Sequence, residues 1–79
     1  MDYTDADLPV TIKHGEAFTF NDGTTVRFES NGEAKDLFFG DEWAASVQLF
    51  PAMEHLATHG GVTYKLTAQF EDGLTVEKV

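Results

Sequence analysis

Two histidines, His55 and His59, stand four residues apart with Glu54 beside them, the spacing that on a helix turns both imidazoles to one face and suits a divalent metal. No third ligand recurs at a fixed offset, and a histidine in the last turn of a helix is also favoured there by the helix dipole, so the pair reads as structural. His14, next to Gly15, reads as a surface or edge-strand residue. Serine chemistry finds no frame: Ser30 falls in a turn and Ser46 inside an expected helix, and neither lies in a nucleophile elbow or a triad pattern. The Asp22-Gly23 and Asp72-Gly73 pairs lack the alternating oxygen ligands and terminal Glu of a calcium loop. There is no cysteine, which removes disulfides, zinc-thiolate sites and thiol nucleophiles, and no glycine-rich phosphate loop. Acid/base work by carboxylates needs a cleft that shifts their pKa values, and a domain this small rarely holds both a core and a cleft. The expectation is a protein that is not an enzyme, with no catalytic, cofactor-binding or metal-binding residues.

What the chain has in abundance is negative charge. Fourteen Asp and Glu against five Lys and Arg give a formal charge of -9 and a pI near 4.4. Nucleic-acid phosphates and anionic lipid both demand a positive footprint, so direct binding to either is not expected. The natural partners are basic protein surfaces. Glu29, Glu33, Asp36, Asp41 and Glu42, in the central stretch, form the candidate partner-binding set, ahead of Asp2, Asp5 and Asp7 near the start. That start is acidic where a secretory signal needs a basic stretch, and no apolar run exceeds Leu49 to Met53, far short of a membrane span. A cytoplasmic location is therefore expected.

The elements that must carry these side chains are announced by a repeat. Residues 20–26 (Phe-Asn-Asp-Gly-Thr-Thr-Val) return at 70–76 as Phe-Glu-Asp-Gly-Leu-Thr-Val, five of seven identical at an offset of 50. An Asp-Gly pair between alternating apolar runs is a strong hairpin signal, which places Gly23 and Gly73 at positive φ. Residues 1–8 read as a flexible acidic arm and Val10 to Lys13 as a short extended piece. Glu16 to Phe20 and Thr24 to Glu29 read as strands, with Phe18, Phe20, Val26 and Phe28 inward. Ser30-Asn31-Gly32 is a turn signal, so Glu33 to Phe39 is a candidate third strand.

Gly40-Asp41-Glu42 reads as a helix start with Asp41 as N-cap. Trp43, Val47, Phe50, Met53, Leu56 and Ala57 then recur at spacings of three and four and predict an amphipathic helix, kinked or broken near Pro51 and ended by Gly60-Gly61. Val62 to Phe70 is a strand by strict alternation, paired back by Leu74 to Val79. The predicted architecture is a single α+β domain over residues 1–79, in the order β-β-(β)-α-β-β. In it Trp43, Phe50 and Leu56 face a sheet of two hairpins. Seven Phe, two Tyr and one Trp supply a core able to offset the ordering entropy without staples.

In size, acidity, absence of cysteine and absence of catalytic motifs, the chain resembles the small phage-borne inhibitors of bacterial defence, notably anti-CRISPR proteins, some of which act as DNA mimics. The resemblance is one of general character and transfers no residue role. It implies a monomeric or dimeric, non-catalytic protein in the cytoplasm of a bacterial host. Such a protein would block DNA binding by a basic partner such as a CRISPR effector complex. The alternative is a small structural or assembly module of a phage particle or protein complex, working through exposed strand edges.

Overall fold

Alternation, not helical periodicity, governs the strands of the described residues. The computed structural model describes residues 2–32, 34–48, 53–69 and 73–79. These form nine strands: β1 (Asp2–Thr4), β2 (Val10–Lys13), β3 (Ala17–Thr19), β4 (Thr25–Asn31), β5 (Ala34–Phe39), β6 (Glu42–Gln48), β7 (Glu54–His59), β8 (Val62–Gln69) and β9 (Gly73–Lys78). The helical content among the described residues is one 3-10 turn, Asp5–Asp7. One sheet has the order β1-β3-β4-β5-β6 and the other β2-β9-β8-β7. Every pairing is antiparallel except that of β1 with β3.

Each sheet turns one face to a shared core. The five-stranded sheet and its first turn contribute Phe18, Phe20, Val26, Phe28, Leu37 and Val47; the four-stranded sheet contributes Ile12, Tyr64, Leu66, Ala68, Leu74 and Val76. The aromatic rings bridge the sheets, Tyr64 meeting Phe18 and Phe20 edge-on at centroid distances of 6.0 and 4.8 Å. Two facing sheets, each apolar on its inner side, are one of the few layer solutions open to strands with no amphipathic helix among the described residues. At about 1.5–3 kcal/mol per buried large side chain, this cluster is the main stabilising term.

The expected α+β class is thereby corrected to all-β. Residues 42–48 and 54–59 are strands, and the residues that prompted a helix do not share a buried face: Trp43 is 59% exposed and Leu56 58%, while Val47 is buried. Gly40-Asp41 is not a helix start but the two-residue turn between paired Phe39 and Glu42, with Gly40 at φ 64°. Gly60-Gly61 likewise joins paired His59 and Val62, with both glycines left-handed at φ 57° and 80°. That is the backbone demanded by the hairpin turns whose twist matches the flanking strands. Strong pairing partners, β5 for β6 and β8 for β7, override the helix preference of residues such as Glu42, Ala44 and Ala45. The expected break at Pro51 and the core role of Phe50 lie outside the described residues.

The two copies of the repeat differ in structure. In the first, Gly23 at φ 90° closes a tight turn: its N–H donates to the Phe20 carbonyl at 3.0 Å, and Thr24 N–H donates to Asp22 Oδ1 at 2.9 Å. In the second, Gly73 is the first residue of β9, paired with Gln69 and with Lys13, and lies outside the left-handed region. Its expected positive φ is corrected. A glycine is needed there for space, because an added Cβ would stand 2.9 Å from Thr11 Cγ2.

Residues 2–8, expected as a flexible arm, are built into the sandwich. Asp2–Thr4 pairs with Ala17–Thr19, while Tyr3 and Leu8 pack against the core. The Tyr3 hydroxyl donates to Glu16 Oε2 at 3.3 Å. The Leu8-Pro9 bond is cis.

Candidate partner-binding face

β4 and β5 are central strands of the five-stranded sheet. Because Val26, Phe28, Leu37 and Phe39 point inward, their neighbours Arg27, Glu29, Asp36 and Phe38 point out. The register sets Glu29 directly opposite Asp36 and Arg27 directly opposite Phe38. Two residues of the expected acidic set are thus brought together on one face. Side chains so opposed have Cβ atoms about 4.5–5.5 Å apart, and like charges in that position repel.

Neighbouring groups hold this pair in place. Glu29 Oε2 meets His14 Nε2 at 2.5 Å, and its Oε1 lies 3.7 Å from Arg27 Nη1. Asp36 accepts hydrogen bonds from the Ser46 hydroxyl at 2.5 Å and from Asn31 Nδ2 at 3.4 Å. Asp41 stands exposed in the β5–β6 turn, on the far side of Phe38 from Asp36, whereas Glu42, also exposed, is paired with inward-pointing Phe39 and so lies on the other face from Phe38. Glu33 lies outside the described residues.

Between this pair and Asp41 runs a row that the sequence reading missed. The Arg27 guanidinium lies 4.5 Å above the Phe38 ring centroid, and Phe38 is opposite Trp43 across the β5–β6 pair. The face therefore consists of an aromatic and cationic centre flanked by carboxylates. A signal for it existed in Gly40-Asp41, which as a two-residue turn after Phe39 would have made the next segment a strand returning alongside β5.

The histidines expected to have structural roles sit elsewhere. On a strand, residues four apart are separated by about 13 Å, so His55 and His59 do not converge on one point. His59 stacks on Phe20 at 4.0 Å with 9° between the rings, and its Nδ1 lies 3.1 Å from Asp22 Oδ2. Asp22 is held below the ordinary aspartate range, first by the Thr24 backbone N–H and less by His59. Among the described residues no group of three or more His, Asp or Glu side chains could hold a metal ion. No helix there is long and apolar enough to cross a membrane.

One further cluster lies where the first segment meets the last. Asp5 accepts from the Tyr64 hydroxyl at 2.8 Å and pairs with Lys78 Nζ at 2.7 Å, beside an open depression of about 310 Å³ lined by Asp5, Leu8, Pro9, Glu77 and Lys78. These bonds lower the Asp5 pKa and raise that of Lys78; Tyr64 is raised, chiefly by burial. The cluster ties residues 5–8 to the four-stranded sheet, which gives it a structural role.

No family model matches the chain, and neither does a curated protein sequence or a solved structure.

Proposed function

We propose that the protein is a non-catalytic acidic binding protein that inhibits a nucleic-acid-handling partner. In its most concrete form it is an anti-CRISPR-like protein that occupies the basic DNA path of an effector complex. The observation that carries this reading is the opposed Glu29 and Asp36 pair, with Asp41 in the turn beyond it, on antiparallel strands in a chain of net charge -9. Fixed carboxylates on a rigid sheet present negative charge to a cationic groove without the ordering cost of a flexible acidic tail. The deciding experiment measures target-DNA binding and cleavage by candidate CRISPR effector complexes with and without the protein. Inhibition that weakens as salt rises is expected, because long-range steering is screened over about 10 Å at 0.1 M. Unchanged binding and cleavage across the effector types of the host would overturn the reading.

A second reading, a small assembly module, draws on a different observation. β7 is an outer strand of its sheet and carries Leu56 largely in water, with Met53 exposed just before it. Outer strands of this kind pair with neighbouring chains. Sedimentation separates the two readings, since the inhibitor is a monomer or dimer and the module forms larger rings or polymers.

A further inference from the structure

The pairing of β5 with β6 is interrupted at one place. Partners run regularly from Ala34 and Gln48 to Leu37 and Ala45, then jump to Phe38 and Trp43, leaving Ala44 as the extra residue of a β-bulge. Counting back by twos from buried Val47 through Ala45, an unbroken β6 would bring residue 43 to the core side. The bulge instead sets it opposite Phe38, on the outer face, where Trp43 is 59% exposed. The largest apolar side chain of the chain, and its only Trp, is thus taken out of a core built from smaller rings. Bulges commonly re-aim a side chain in this way beside binding and active sites. Trp and Arg are also the residues on which protein interfaces most depend.

We propose that Trp43 is the anchor of the acidic face and takes an arginine side chain of a basic partner protein. The inference rests on the inhibitor reading above and names the contact that reading leaves open. The molecule already contains the interaction in miniature, since Arg27 lies over Phe38 one place along the same row. A second guanidinium laid on the Trp43 ring would find Asp36 further along the same face and Asp41 in the adjoining β5–β6 turn. Arginine suits this site better than lysine, because its planar fork both stacks on an aromatic face and pairs with carboxylates. A second copy of the chain is a poor occupant, since two bodies of charge -9 repel.

The test uses the intact chain with deca-arginine and deca-lysine peptides, read by tryptophan emission and by calorimetry. Because the chain has one Trp, emission reports on the proposed contact without any substitution. Deca-arginine is expected to shift Trp43 emission and to bind several-fold more tightly than deca-lysine. Trp43→Ala should weaken deca-arginine about tenfold and erase most of the preference, while Trp43→Tyr restores part of it. Glu29→Gln with Asp36→Asn should weaken both peptides. If those charge variants weaken binding while Trp43→Ala and the emission do not respond, the anchor is wrong and the acidic reading survives. If neither peptide binds, both fail. An emission change that follows protein concentration alone, with a matching rise in sedimentation coefficient, would assign the face to a second copy and overturn the proposal.

Discussion

The outer faces of the two sheets follow the same alternation and arrange their charges differently. On the four-stranded sheet the polar groups satisfy one another within the plane. The Thr11 and Thr75 hydroxyls bond at 2.9 Å, as do those of Thr58 and Thr63 at 3.0 Å, and Lys65 sits between Glu77 at 3.0 Å and Glu54 at 3.8 Å. On the five-stranded sheet two carboxylates, Glu29 and Asp36, stand directly opposite each other, near the row that holds exposed Trp43. Hydroxyl ladders and a bridging lysine are what a sheet facing only water needs. Like charges set directly opposite each other cost stability rather than supply it, so the proposed recognition role falls on the five-stranded side.

The strongest break of this comparison asks whether inner and outer positions differ as described. Phe18→Ala removes a fully buried ring and should cost about 3–5 kcal/mol, enough to unfold a domain this small. Phe38→Ala, on the outer face, should cost about 1 kcal/mol. Similar urea midpoints for the two variants would show that the faces are misassigned.

A second test acts on the four-stranded sheet alone. Gly73→Ala forces a methyl group against Thr11 Cγ2, and the β-branched threonine has little rotamer freedom with which to yield. A loss of about 1–3 kcal/mol is expected. Adding Thr11→Ser, which deletes that methyl and keeps the hydroxyl, should recover part of the loss in the same unfolding assay. No recovery would mean that the close approach is not the reason for the glycine.

The third sharpens the comparison by moving charge equally on both sides. Glu29→Lys with Asp36→Lys, and separately Glu54→Lys with Glu77→Lys, change the net charge by the same amount. Deca-arginine affinity should fall at least tenfold more in the first pair than in the second. Equal losses would show that net charge alone governs binding and that the two faces are equivalent.

The smallest effect is the pH dependence of the corners that close the sandwich. Asp5 and Asp22 both have folded pKa values below the ordinary aspartate range. Their stabilisation is therefore complete above about pH 4, the unfolded value, and is lost as pH falls through the lower folded values. The urea midpoint should decline in that acid window, and less steeply in Asp5→Asn. For Lys65 and Lys78, raised chiefly by their hydrogen bonds to Glu77 and Asp5, the loss comes at the alkaline end, as pH climbs through their folded values.

Sequence alone determined the strands whose alternation is strict. Phe18 and Phe20, Val26 and Phe28, and Tyr64, Leu66 and Ala68 all point inward as their two-residue period requires, and Gly23 takes the left-handed turn. Composition likewise determined the acidity and the candidate carboxylates. Only the tertiary structure decided Glu42–Gln48 and Glu54–His59. Trp43 and Val47, or Met53, Leu56 and Ala57, at spacings of three and four, match one face of a helix, and a short strand with a bulge produces the same spacing. Periodicity is a local property, whereas β6 and β7 exist because β5 and β8 offer them pairing partners. The same dependence explains the site. That Glu29 meets Asp36, and that Trp43 leaves the core, follows from a register and a bulge, and both are settled between strands rather than within one.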